Sequence, residues 1–309
     1  MIIVKNFINY YYQLQINDIH LSNGKYFFRY QNQSYLFKPF YGDFSYLEAV
    51  YDFNQQIVYS NPFYHRIVRN KDRSLVTVID GKPYVLMKIN HLANEPISIF
   101  DIKGLDYVQV DKKLEVLNMF HWTNLWESKI DYFEEQIFSK MSEYYSILPT
   151  FHYFIGLGEN AILYVREALA NYQAELSDQL VVSHRRFYKQ TTLIDYYDPT
   201  ELIIDHKARD VAEYIKFLFV SGSYDMDVIS NYLTGVDFSL RGASLLFGRL
   251  MFPSFYFDQL ELCMVSGDFQ PLKKLCDRVE EYQLFLADIF YVITRQYPIP
   301  EVLWLLKVN

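Results

Sequence analysis

Apolar and polar residues alternate over short runs in the first hundred positions, then apolar residues recur every three to four positions for most of the remaining chain. Alternation points to half-buried strands, whereas the longer spacing gathers apolar groups on one face of a helix. Lys25-Tyr26-Phe27-Phe28-Arg29-Tyr30 and Ser34-Tyr35-Leu36-Phe37-Lys38-Pro39-Phe40 flank a polar Gln31-Asn32-Gln33 turn and predict an aromatic hairpin. Pro39 lacks a backbone N–H and limits how far the second strand runs in a sheet centre. Asp43 can cap a helix through Tyr46–Phe53, with Leu47, Val50 and Tyr51 on one face. Strand patterns return at Leu75–Ile79 and Tyr84–Ile89, around an Asp80-Gly81 turn.

From about residue 110 the helical spacing takes over. Val108–Met141 carries Leu114, Leu117, Phe120, Trp122, Leu125 and Trp126 in that rhythm, and Asn160–Ala174 repeats it after Gly156-Leu157-Gly158. Val211 to the C-terminus reads as nearly continuous helix, with Pro253 stopping a buried segment. The irregular Asn94-Glu95-Pro96 places a boundary between Asn90 and Ile102. Residues 1–95 then form a small lobe, an antiparallel sheet plus one helix, and residues 96–309 a large helical lobe: an α+β, bilobal architecture.

Composition narrows the function classes. An apolar share of 51% over 309 residues is ample for a core. A net charge of −8 argues against a nucleic-acid partner, which requires a concentrated basic surface. Cys263 and Cys276 are too few for a thiolate metal site and read as free thiols. The N-terminus lacks a signal-peptide pattern and no long uncharged apolar run occurs, so a cytoplasmic protein without membrane insertion is expected. The 29 Tyr and 25 Phe are more simply explained by genomic base composition than by an adhesive or cross-linking surface.

The chemistry concentrates in Ser183-His184-Arg185-Arg186-Phe187 and Ile203-Ile204-Asp205-His206-Lys207-Ala208-Arg209-Asp210-Val211-Ala212, Asp205 lying nineteen residues after Arg186. Their order resembles the catalytic half of kinases of the aminoglycoside-phosphotransferase type, and the resemblance implies a protein-kinase-like fold. It places His184 as the loop-holding histidine, Arg186 at the catalytic base, Thr191 at the metal-ligating amide and Asp205 at the metal-binding aspartate. It also assigns nucleotide binding to Lys38, Glu48, Met87 and Lys88, with an ion pair expected between Lys38 and Glu48. Arg186 stays protonated and cannot accept a proton, and Thr191 is a poor metal ligand. The phosphate-cradling glycine loop is missing, since Gly24 belongs to an ordinary Asn23-Gly24 turn. Asp195 and Asp198 are alternative acids near the loop, and Asp210 reads as a helix cap. Arg186 is expected to neutralise Asp205 in place of magnesium.

Ile155-Gly156-Leu157-Gly158-Glu159-Asn160-Ala161-Ile162, the His184 loop, Ile204–Glu213 and Arg249-Leu250-Met251-Phe252-Pro253 carry a closer likeness. They resemble the CotS/YutH-type spore coat family of endospore-forming bacteria, a kinase-like branch related to aminoglycoside and choline kinases. The resemblance implies a protein of the mother-cell cytoplasm or the spore coat, whose partners are other coat or mother-cell proteins. Two readings follow. The leading one is a pseudokinase that acts through protein interaction and needs no cofactor; the other is an active ATP-dependent small-molecule phosphotransferase with an atypical loop, using ATP and magnesium. A helical scaffold without kinase ancestry is the third class.

Overall fold

Ile2–Tyr12 form a helix, α1, in a region whose pattern reads as strand and one later helix. Its signal is the four-residue spacing of Val4, Ile8 and Tyr12, all buried against Phe28, Tyr35, Phe37, Ile79 and Leu86. The sheet beneath it contains β1 (His20–Ser22), β2 (Lys25–Tyr30) and β3 (Gln33–Pro39). The expected aromatic hairpin is β2–β3, closed by Gln31 and Asn32 in left-handed conformations at φ 47° and 63°. Helix α2 (Phe44–Ser60) follows, and the Asp43 carboxylate accepts a hydrogen bond from the Ser45 N–H at 2.6 Å, the cap its sequence announces. Then come β4 (Arg66–Val68), β5 (Thr77–Ile79) and β6 (Lys82–Ile89), the last two joined through Asp80 and Gly81 at positive φ. The strand order is β1-β2-β3-β6-β4 with β5 also on β6, and every pairing is antiparallel. Pro39 ends β3, where its missing N–H does least harm.

The computed structural model describes residues 2–89, 95–102, 107–140, 144–187 and 191–305. They group into two units, Met1–Ile97 with Gln109–Asn118 and Gln190–Ile203, and Ser98–Val108 with Met119–Lys189 and Ile204–Asn309. The connection expected from Asn90 to Ile102 lies partly outside the described residues, at 90–94.

The remaining elements are α3 (Trp122–Ser139), α4 (Leu148–Asn171), β7 (Leu180–His184), α5 (Leu193–Tyr196), β8 (Leu202–His206), α6 (Ala208–Ser221), α7 (Met226–Gly235), α8 (Leu240–Met251), α9 (Ser254–Ser266), α10 (Gln270–Cys276) and α11 (Val279–Thr294). Helical spacing over Val108–Met141 overstates α3 at both ends. Before it, the Asp111 carboxylate accepts from the N–H groups of Lys113 and Leu114, so this stretch is a turn carrying Leu114 and Leu117 into the first unit; Met141 lies outside the described residues.

The second unit is built on the contact of α4 with α8. Gly248 permits it, because a Cβ there would stand 2.4 Å from Val165 Cγ2. Gly248→Ala is therefore expected to cost about 1–3 kcal/mol in chemical unfolding, the usual penalty of overpacking, although alanine is the better helix former.

Candidate functional site

Strand β7 ends at His184 and β8 at Asp205-His206, two almost wholly buried strands that pair with each other. Helix α6 begins two residues after His206, so Arg209 stands one turn beyond Asp205. Asp205 is fully buried and its carboxylate is saturated with donors. Oδ1 accepts from Trp122 Nε1 at 2.8 Å and from the His206 N–H at 2.7 Å. Oδ2 accepts from Arg209 Nη1 at 2.9 Å. Arg209 donates its other bonds to the carbonyl oxygens of His184 at 3.1 Å and Arg185 at 3.0 Å, holding the loop against the helix.

His184 is buried, and Asp210 takes both its backbone N–H at 3.0 Å and its ring Nδ1 at 2.6 Å. Asp210 thus sits in the first turn of α6, where a carboxylate suits the helix dipole, but its partner is the loop. Arg186 does not neutralise Asp205. Its Nε donates to Asp258 at 3.0 Å, and Lys129 shares that carboxylate at 2.5 Å. The cation paired with the aspartate is Arg209, which comes from the helix that follows the strand.

Behind this network lies a buried ionic cluster. Glu213 receives Lys216 at 2.9 Å and Arg249 at 3.0 Å, and Lys216 also donates to the Phe252 carbonyl and Ser254 Oγ. The Arg249 guanidinium lies 4.5 Å from the Trp122 ring centroid, the indole that binds Asp205. Burial alone would raise the Glu213 pKa, but Lys216, Arg249, Arg186 and Arg209 outweigh it and hold the carboxyl well below 4.5. Burial pushes Lys216 down to about 8 and Arg249 to about 10, the neighbouring cations adding to the effect.

The first unit holds the residues expected to bind nucleotide. Lys38 is largely buried on β3, and its ammonium meets Asp198 at 2.6 Å, Thr200 Oγ1 at 3.0 Å and Glu201 at 3.4 Å. The expected pair with Glu48 does not form. Glu48, on the second turn of α2, is bound instead by Arg69 at 2.8 Å. Burial alone would lower the Lys38 pKa, yet the Asp198 and Glu201 charges raise it, and Asp198 is correspondingly lowered. Asp195, the other acid near the loop, is paired with Lys25. Met87 is fully buried on β6 between Leu36 and Ile67, and Lys88 lies between Tyr35 and Arg66 in the same sheet. The Thr191 carbonyl accepts from the Ile97 N–H at 3.3 Å.

Both oxygens of Asp205 already accept charged or N–H donors, so a magnesium ion there would have to displace Arg209 from Oδ2. Several of the decisive residues carried no family role in the sequence reading. Arg209 and the Glu213–Lys216 pair were visible as i,i+4 and i,i+3 charge spacings; Trp122 and Arg249, far apart in sequence, gave no such signal.

A family model described as spore coat putative kinase YutH matches residues 5–288. The endospore coat-associated protein YutH of Bacillus subtilis (strain 168) is 24% identical over 279 residues, covering 80% of this chain and 81% of that protein. Among solved structures, an aminoglycoside phosphotransferase from Alicyclobacillus acidocaldarius is similar with a TM-score of 0.60 at 11% identity, over 93% of this chain and 95% of that one. Amicoumacin kinase hAmiN, solved in complex with AMP-PNP, Ca2+ and Ami, is similar with a TM-score of 0.56 at 10% identity, over 99% and 96% of the two chains. The spectinomycin phosphotransferase APH(9)-Ia complex with ADP gives 0.53 at 12% identity, over 88% and 90%. At these identities the likeness is one of fold, α+β and aminoglycoside-phosphotransferase-like.

Proposed function

We propose a scaffolding function for this chain, which belongs to the YutH family of spore coat kinase-like proteins: it is a pseudokinase that acts by binding other coat or mother-cell proteins. The carrying observation is Asp205, whose acceptor positions are filled by Trp122, Arg209 and the His206 N–H. A phosphotransferase of this fold needs that carboxylate for magnesium and a carboxylate two positions after His184 for the acceptor's proton. This chain has an arginine at the second position and an internal cation at the first. Lys38 is in a similar state, since Asp198 and Glu201 supply the negative charge that nucleotide phosphates would bring. Kinase-like architecture without these functions is suited to presenting surfaces, in the mother-cell cytoplasm or in the coat.

Thermal unfolding with ATP and magnesium tests the reading. A ligand at a hundredfold excess over its dissociation constant stabilises by about 2.7 kcal/mol, a shift of several degrees for a chain of this size. Millimolar magnesium-ATP is expected to leave the melting temperature within about 1 °C of the free protein. A larger rise that disappears in Asp205→Ala would establish the active phosphotransferase in its place.

A further inference from the structure

The second unit contains a cavity of about 170 Å³ beside β7, the start of α6 and the end of α7. Val182, Val211, Val236 and Phe238 make its lining mainly apolar. Its polar residues are Ser183, Lys207, Asp210 and Tyr232, and they differ in what they can offer a guest. Asp210 is committed to His184 through both oxygens, and Tyr232 donates to the Ile102 carbonyl at 2.5 Å. Lys207 is not committed in this way. Its ammonium donates to the Asp237 carbonyl oxygen and stands 4.9 Å from the Phe238 ring centroid, and among the described residues no carboxylate forms an ion pair with it.

Ser183 is fully buried, and among the described residues its Oγ has no hydrogen-bond partner. The cavity also opens at the N-terminus of α6, a helix of 14 residues whose dipole favours negative charge there. A dry apolar cavity of about 150 Å³ accepts one benzene molecule, so a single ring is the size limit.

We propose that this cavity binds a compact organic anion, a single-ring or short branched carboxylate, with its body among Val182, Val211, Val236 and Phe238 and its carboxylate on the Lys207 ammonium. The site is distinct from the Asp205 network, and its occupancy does not depend on whether nucleotide binds. Asp210 lines the cavity and also fixes His184, so a bound anion would sit against the group that holds that loop.

Fluorine NMR of 4-fluorobenzoate mixed with the full chain tests it. The resonance is expected to broaden with the unaltered protein, and Lys207→Met, which keeps the aliphatic stem, should weaken binding at least about tenfold, the loss of one charge-assisted hydrogen bond. Val236→Phe, at a half-buried position, should fill the cavity and abolish broadening. The matched cation 4-fluorobenzylamine should not bind. Should Val236→Phe fail to fold, Lys207→Met and the amine decide the matter. Absence of broadening at millimolar 4-fluorobenzoate, equal affinity in Lys207→Met, or equal binding of acid and amine each overturns the proposal.

Discussion

Arg209→Ala is expected to destabilise the protein by about 3–5 kcal/mol in urea unfolding, the cost of leaving a buried charge unpaired. The fully buried Asp205 would lose its only cationic hydrogen-bond partner among the described residues, the His184 carbonyl would lose its Arg209 donor, and the Arg185 carbonyl would keep only Arg186 Nη1. Adding Asp205→Asn should return a substantial part of the loss, because the stranded charge is then gone while Trp122 keeps an oxygen to bond. Arg186→Ala should cost less than about 1 kcal/mol, as expected of an exposed pair, since its side chain is 32% exposed and Asp258 is 37% exposed and retains Lys129. Equal penalties for the two arginines would show that Asp205 is not held as described.

Glu213→Gln should be at least as damaging. It removes the one carboxylate between Lys216 and Arg249, both nearly inaccessible, and a loss of about 3–5 kcal/mol is expected from the same physics. Acid should reproduce part of this in the unaltered protein. The folded-state pKa of Glu213 is depressed well below the 4.5 of the free side chain, so its stabilisation is complete above that value and fades as pH falls through the folded pKa. Chemical-denaturation midpoints between pH 5 and 2 should fall steeply in the unaltered protein and less so in Glu213→Gln. Parallel slopes would mean that other carboxylates govern acid unfolding.

Local rules made much of the sheet and the helices readable. The β2–β3 and β5–β6 hairpins follow from turn residues able to adopt positive φ, and α2 from an aspartate at its cap. Helix α1 escaped because its apolar positions are embedded in a run that is apolar on most faces, where spacing discriminates poorly. The site was less legible for a different reason. An arginine beside Asp205 was expected from the loop, but which arginine pairs with it depends on side-chain direction: Arg209 rises from the helix beside the carboxylate, whereas Arg186 turns to Asp258. The partner of Lys38 lies 160 residues away, at an aspartate read from sequence only as an alternative acid near the loop. No periodicity links positions so far apart.

The stretch carrying Asp198 has a consequence for how this protein can change over generations. The segment between β7, in the second unit, and the end of β8, which returns to it at Ile204, groups with the first unit over residues 190–203, as do residues 109–118. Heredity therefore cannot treat the sheet-bearing unit as a cassette. A crossover after residue 97 would join a β3 lysine from one parent to an Asp198 segment from the other, and only parents that agree on both would yield a folded recombinant. Substitutions at Lys38 and Asp198 should accordingly be inherited as a pair, accepted together or rejected together, although the two codons lie half a gene apart.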